Sequence, residues 1–509
     1  MDFSRLSQQD GNETAMTESV SPSVPKRIAV IGGGLSGLAT AFYLKRFSPR
    51  ASIKVYESSS RLGGVIHTER IESAGHGCFV IDHGADMFAT EPPAAIQLCR
   101  DLGVEDQLIV PDTSRAGAMI VHRGKLVPIP DGFVLMRATK LWQMVTTPLL
   151  SIPGKLRFLA ERFVGGQAVP NAVADDVSVA DFVRHRMGGE VLDRLVGPLV
   201  AGIYTADIEK LSMNATMAPM VAMVKKHGSL AQATLARRRE NQDVTERNSA
   251  GARYEKFRGF PDGMKQLIDT LAAAIGEESI QTDTPITALR HTDDVSQPWE
   301  LSFDRGAESF DEVILAAPAA ASASLLRSID AAAIQTPCRT AADALSSIPS
   351  ASTAIAVLCV RKSQIARLPH QFGFVVPQIE NRKILAASFA SHKYPIRCPA
   401  DHVIIRVFVG GALQPELLQQ SDEQIVDMVR GELADLIGMT GRETLARVVR
   451  WNDAMPQYHV GHLKRVETIE TAMVQIPHLH LVTNALRGVG IAPVIAAGKK
   501  MAKTISGAE

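Results

Sequence analysis

The chain has 509 residues, too many for one ordinary hydrophobic core, so two or three domains are expected. Apolar residues make up 46% and charged residues 21%, the balance of a globular protein and not of a disordered one. With 54 basic and 54 acidic side chains, no overall field draws the chain to nucleic acid or anionic lipid, and any such partner would need a local patch.

Residues 1–25 are rich in Ser, Thr, Gln, Asn and acidic side chains and lack the basic start and apolar run of a secretory signal; they read as a disordered tail. The five cysteines, Cys78, Cys99, Cys338, Cys359 and Cys398, are scattered and form no CxxC pair, which argues against a disulfide framework or zinc site and fits a reducing cytosol. A short apolar strand at 28–31, a helix at 35–47 and a second strand at 53–56 follow in βαβ order. Residues 92–216 carry helical periodicity, with helices expected at 94–103, 140–150, 155–163, 179–187 and 190–199. Residues 237–254 are charged and Asn-rich and read as an exposed loop. After the turn at Thr284 and Pro285 comes a strand at 312–316. The apolar run 313–326 is cut by Pro318 and falls short of the ~20 residues of a spanning helix, so no transmembrane segment is expected. Strands at 353–360, 373–376, 383–389 and 402–409 and a helix at 423–436 suggest a sheet covered by helices. Near the end, a strand at 479–482 leads through Gly488 into a helix at 491–505.

The expected fold class is α/β: a discontinuous Rossmann-like nucleotide domain with an inserted helical domain and an α+β substrate domain built on a mixed sheet. The boundaries drawn are 26–91, 255–320 and 440–509 for the nucleotide domain, 92–215 for the helical domain, and 216–254 with 321–439 for the substrate domain.

Three segments carry chemistry. In IGGGLSGL, Gly32 permits a tight turn, Gly34 lets a pyrophosphate approach the backbone, and Gly37 allows close helix–strand packing. Gly33, Leu35 and Ser36 fill the turn and the start of the helix, whose N-terminus faces the phosphates. Glu57, at the end of the second strand, stands where an acid holds ribose hydroxyls. A glycine-rich turn without a ligand is the bland alternative. Next comes SSSRLGG, in which Arg61 can approach the anionic end of a ligand while Gly63 and Gly64 let the backbone lie flat against a bulky group; this suits FAD better than NAD. Third, TNALRGVG (residues 483–490) runs from a strand end into a helix, where backbone N–H groups can stabilise negative charge on a reduced flavin, or where Asn484 merely caps the helix.

Together these motifs resemble the FAD-dependent amine oxidase superfamily, and within it the porphyrinogen oxidases of haem synthesis. The resemblance runs from about Lys26 to the C-terminus through IGGGLSGL, RLGG, DHGAD (Asp82 to Asp86), GKLVPIP, GPLVAGIYTAD, FPDGM, MPQYHVGH and NALRGVGI, of which GIYTAD, PQYHVGH and NALRGVGI are the specific ones. It implies FAD bound by Gly32, Gly33, Gly34, Leu35, Ser36, Gly37, Glu57, Ser58, Arg61, Gly63, Gly64, Val65, Ile286, Ala316, Val489, Gly490 and Ile491. It also implies six-electron oxidation of protoporphyrinogen IX by molecular oxygen with hydrogen peroxide released, coproporphyrinogen III being the substrate of a bacterial branch. Departures from the family pattern include Asp82 for Glu, Ala85 for Pro, Thr483 for Gly, Leu486 for an aromatic residue, and Ala492 and Pro493 for Pro-Asp.

The flavin supplies the hard chemistry, a hydride leaving a bridging carbon for flavin N5, so no metal and no nucleophile is expected. His67, His83, His459 and His462 read as structural, and no catalytic base is assigned. Arg487, beside the flavin motif, is the candidate partner of a substrate propionate. Residues 133–164 mix Leu, Met, Phe and Trp with Lys and Arg, a surface suited to a membrane interface or to a packed helix pair. Hand-over of product to ferrochelatase, a homodimer, a cytoplasmic location reaching the inner face of the cell membrane, and no nucleic-acid partner complete the expectations. The competing readings are an amine oxidase, a carotenoid desaturase and a non-catalytic flavin-binding carrier.

Overall fold

The structure is a computed structural model that describes residues 25–165, 176–240 and 256–508 apart from 293 and 295. The expected tail and most of the 237–254 loop lie outside the described residues; 237–239 close a helix, Leu230–Arg239.

Five parallel strands form the nucleotide-binding sheet in the order Ile280–Gln281, Ser52–Tyr56, Arg27–Ile31, Glu312–Leu315, Leu479–Leu481. Its central strands are apolar on both faces because both are covered by other elements. Ile28 and Val30 pack with helices Leu35–Phe47, Lys265–Ile275 and Ile491–Ser506. On the opposite face, Ala29 and Ile31 pack with helices Ala319–Ser328, Gln335–Ser346 and His462–Met473 and with an antiparallel meander of strands Ile286–His291, Trp299–Phe303 and Gly306–Phe310.

The second sheet has seven strands and is mixed. Its order is Leu445–Pro456, Ser350–Arg361, His402–Gly410, Ala386–Phe389, Gly373–Val375, Met119–His122, Lys125–Pro128, and the Gly373–Val375/Met119–His122 pair is parallel. Ala354, Ala356, Leu358 and Val360 face helix Asp422–Ile437, whereas Ile355, Val357 and Cys359 face Phe79 and Ile81 of a hairpin, Thr68–Ser73 with Gly77–Asp82. That hairpin joins the two halves of the molecule.

The remaining core is helical, built around Phe182, Val191, Leu195 and Val200.

Strand pairing moves several boundaries. Residues 119–128 fall in the stretch read as helical, yet they form the edge hairpin of the seven-stranded sheet. Helices Ala218–His227 and Leu230–Arg239, drawn with the substrate domain, contribute Met220, Val224 and Leu230 to the helical core. Residues 321–346, drawn likewise, cover the nucleotide sheet. Residues 445–456, drawn with the nucleotide domain, form the strand beside Ser350–Arg361. Of the helix expected at 140–150 only Leu141–Thr146 forms, because Pro148 has no N–H to continue it.

Candidate functional site

At the C-terminal ends of the parallel strands, four glycines do different jobs. Gly32 has φ +117°, and a Cβ there would stand 2.6 Å from the Ala316 carbonyl oxygen. A Cβ on Gly37 would stand 1.9 Å from the Gly32 carbonyl oxygen, so the helix sits against the turn only because Gly37 is bare. On Gly33 it would meet Leu62 at 2.6 Å. A Cβ on Gly34 would meet nothing within 4 Å among the described residues. Three glycines are therefore required by protein neighbours, and the fourth borders open space at the N-terminus of helix Leu35–Phe47, whose cap makes no side-chain hydrogen bond. Uncapped amides beside an open face are what a phosphate group needs.

Glu57 is aimed at this turn. Its Oε2 accepts from Gly33 N at 2.8 Å, and Oε1 accepts from Ser59 N and Ser59 Oγ, both at 2.8 Å, and from Ser58 Oγ at 3.3 Å. The carboxylate is oriented by the backbone and keeps acceptor capacity for ribose hydroxyls. The RLGG segment closes over the turn: Gly63 N donates to Gly33 O at 2.9 Å, and Gly63 pairs with Gly34. Gly64 and Val65 continue it at the exposed surface. Asp283 N and Thr284 N donate to Ser59 O and Glu57 O, which puts Ile286, half-buried at the edge of the Tyr56 core, just beyond the ribose end. The cradle residues Gly32, Gly33, Gly34, Leu35, Ser36, Gly37, Glu57, Ser58, Gly63, Gly64 and Ala316 thus come together at one sheet edge.

Arg61 is half-buried, and its guanidinium lies over the Trp451 ring, 5.6 Å from the centroid. Burial lowers its pKa, with Glu57 pulling the other way, and it makes no ion pair among the described residues. Trp451 Nε1 donates to His83 O at 2.8 Å, tying the strand Leu445–Pro456 to DHGAD.

The C-terminal motif is fixed from below. Tyr458 Oη donates to the Asn484 carbonyl, and His462 Nε2 lies 2.9 Å from the Leu486 carbonyl oxygen. The two rings stack at 4.0 Å, and both are buried. His462 and Tyr458 therefore shape the loop ahead of helix Ile491–Ser506, which begins at Gly490 without a side-chain cap. Val489 and Gly490 lie at the open end of that helix. His83 Nε2 lies 3.0 Å from Glu69 Oε2, and burial lowers the His83 pKa despite that carboxylate. Arg487 turns away: its guanidinium makes a bidentate bond to Glu470 at 3.2 and 2.7 Å on the surface, so it is already paired and is not aimed at the cradle.

GPLVAGIYTAD joins this region as well. A Cβ on Gly202 would stand 3.5 Å from Val375, Gln457 Nε2 donates to Tyr204 O at 3.2 Å, and Ser212 N donates to Tyr458 O at 2.8 Å. The specific motifs, hundreds of residues apart in the chain, share one neighbourhood. Sequence reasoning missed the basic residues behind it, Lys393, Arg397 and Arg406, which reach Asp82 and Asp86 across more than 300 residues. DHGAD itself was the available signal, since two acids in a buried strand end call for cations.

The sequence profile of the flavin containing amine oxidoreductases matches residues 35–506. The chain belongs to that family. It is 31% identical over 505 residues to a coproporphyrinogen III oxidase of Propionibacterium freudenreichii, spanning 94% of this chain and 90% of the relative. It is 28% identical over 480 residues to the coproporphyrinogen III oxidase of Bacillus subtilis (strain 168), spanning 93% and 96%. Its identity to a chloroplastic protoporphyrinogen oxidase of Nicotiana tabacum is 27% over 506 residues, spanning 96% and 86%. A crystal structure from Exiguobacterium sp. 255-15, assigned provisionally as a protoporphyrinogen oxidase, superposes with a TM-score of 0.80 at 27% identity, covering 95% of this chain and 99% of that one. The family member described here is an FAD-dependent oxidoreductase, and the glycine cradle, the Glu57 carboxylate and the two uncapped helix starts fit that cofactor.

Proposed function

We propose that the protein oxidises coproporphyrinogen III to coproporphyrin III with molecular oxygen. The observation that carries the choice of substrate is the ranking of its relatives. Three bacterial coproporphyrinogen III oxidases match at 28–31% identity, and the plant protoporphyrinogen oxidases at 24–27%. The sequence reading led with protoporphyrinogen IX, and this ranking favours the bacterial branch instead.

Bound FAD supplies the hydride acceptor, and this chain's residues do the rest. The cradle at Gly32–Gly37 and Glu57 anchors the nucleotide end, which commits binding energy remote from the reacting carbon to orientation. Gly490 and the free amides that follow it suit an anionic ring edge. Tyr458 and His462 hold that loop in shape: the Tyr458 hydroxyl donates to the Asn484 carbonyl, and His462 Nε2 lies against the Leu486 carbonyl oxygen. Pyrrole protons then leave to solvent. The test is direct oxidation of the two porphyrinogens side by side, followed by porphyrin fluorescence.

Contact with a lipid surface is a second part of the proposal. Leu141, Trp142, Ile152, Leu156 and Phe163 are exposed, Trp142 at 71% and Phe163 at 78%, among Lys140, Arg157 and Arg162. Leu156 and Phe163 also border a cavity of about 1170 Å³ lined by Met136, Phe158 and Met187. An apolar patch interleaved with cations suits peripheral attachment to anionic lipid. Among the described residues no helix is long and apolar enough to cross a membrane.

A further inference from the structure

Buried charge that the cradle does not use gathers behind DHGAD. Asp86 Oδ2 accepts from Lys393 Nζ at 2.7 Å and faces Arg406 Nη1 at 3.0 Å. Asp82 accepts from Arg397 Nη1 at 2.7 Å, from Thr68 Oγ1 at 2.5 Å and from Met264 N at 2.9 Å. All five charged side chains are less than a tenth exposed. Three basic side chains face two carboxylates, which leaves one buried positive charge in excess while Lys393 is protonated; burial lowers the Lys393 pKa, with Asp86 pulling the other way. Both guanidiniums also donate from Nη2 to backbone carbonyls, Arg397 to Phe260 and Arg406 to Gly84, but among the described residues the Nε of each has no acceptor and the Tyr394 hydroxyl has no partner. Burial alone would raise the Asp86 carboxyl, but Lys393 and Arg406 hold it far below the usual carboxylate range, so it is ionised.

The cluster is coupled to the cofactor strip by backbone. Arg406 Nη2 donates to the Gly84 carbonyl. A Cβ on Gly84 would stand 1.9 Å from the Val65 carbonyl oxygen, so the DHGAD turn is pressed against the Gly63–Gly64–Val65 strip. That strip is joined to the cradle, with Gly63 paired to Gly34 and donating to Gly33 O. A flavin that has taken up a hydride carries negative charge, and a fixed cation in a water-poor interior acts on that charge with little screening.

We propose that Lys393, Arg406 and Asp86 form a positioning cluster that sets the reduction potential of the bound FAD, the excess cation favouring the reduced ring. The proposal is independent of which porphyrinogen is oxidised and rests on the cofactor lying along Gly63–Val65. It explains why a carboxylate pair is over-matched by cations inside the protein, where an even count would cost less.

The test is a reductive titration of the holoenzyme against a reference dye, for the wild type and for Lys393→Met, Arg406→Gln, Asp86→Asn and Lys393→Arg. Losing either cation is expected to lower the equilibrium constant for two-electron reduction at least tenfold, a fall of about 30 mV. Asp86→Asn should shift it in the opposite sense, and Lys393→Arg should stay within threefold of the wild type. A cluster that only locks the two halves together would weaken thermal stability in every variant and leave the potentials alike. Coincident potentials, same-sign shifts for Asp86→Asn and the cation variants, or loss of FAD from all of the charge-changing variants would overturn the proposal. Because bound flavin is titrated without substrate, a failed choice of porphyrinogen leaves this readout untouched.

Discussion

At the scale of single residues, the glycines of one turn make opposite predictions. Gly37→Ala puts a methyl 1.9 Å from a backbone oxygen that has no room to retreat, so the strand–helix turn must open. We expect a protein that purifies without the yellow flavin absorbance or fails to fold. Gly34→Ala has empty space and an ordinary backbone angle (φ −75°), so the chain should fold with an unchanged melting temperature while the methyl occupies the ligand's side. FAD titration should report binding weaker by about tenfold or more, roughly 1.4 kcal/mol; unchanged affinity would contradict the cradle. These roles were legible in the sequence because a strand, a glycine turn, a helix and an acid follow one another within local reach. Lys393, Arg397 and Arg406 were not, because a cation's partner across 300 residues is a property of packing and leaves no local pattern. Arg487 shows the converse: proximity in sequence to a motif put it on the list of ligands, and Glu470, one helix away, holds it.

At the scale of elements, the same contrast separates what periodicity reveals from what pairing decides. The parallel strands and long helices read correctly because burial on both faces leaves an unbroken apolar run and burial on one face imposes a period. Short hairpins such as Met119–His122 with Lys125–Pro128 did not, since four residues carry too little pattern and their place at a sheet edge depends on Gly373–Val375. Two buried acids hold elements together and can be tested. Glu312 opens the strand Glu312–Leu315 and receives His480 at 2.8 Å, Lys26 at 2.9 Å and His478 at 3.2 Å. Burial would raise its pKa, but those three hydrogen bonds outweigh burial and bring it from 4.5 down to about 2. A depressed folded-state pKa stabilises above the ordinary value and is lost as pH falls toward about 2. Wild type minus Glu312→Gln should therefore lose up to about 3 kcal/mol of stability between pH 5 and pH 2, read from urea unfolding at each pH. In the helical part, Glu161 bonds the buried Arg186 at 3.1 Å and also accepts from Leu230 N and Ala231 N, both at 2.9 Å, at the start of helix Leu230–Arg239. Glu161→Ala removes that buried ion pair and takes the acceptor from the Leu230 and Ala231 amides, and chemical denaturation should show a loss of about 3–5 kcal/mol.

At the scale of the whole molecule, chain segments far apart in sequence build one site. The nucleotide sheet needs residues 27–31, 312–315 and 479–481 side by side, and the loops that leave its strand ends meet a second sheet carrying Trp451 and Arg406. The exposed face with Trp142 and Phe163 lies on the helical part, which has its own core around Phe182 and Leu195. If that face meets lipid, Trp142→Glu with Phe163→Glu should reduce co-sedimentation with phosphatidylglycerol-containing vesicles by about tenfold or more while FAD content stays unchanged; equal sedimentation of variant and wild type would exclude the role.

The central claim is substrate oxidation by the FAD-loaded protein. It is tested most directly by adding air to anaerobic enzyme with coproporphyrinogen III or protoporphyrinogen IX and following porphyrin fluorescence with peroxide release. The account predicts faster formation of coproporphyrin III, with three peroxides per porphyrin, the balance of a six-electron oxidation. Fluorescence rising no faster than in the enzyme-free control with either substrate would contradict it.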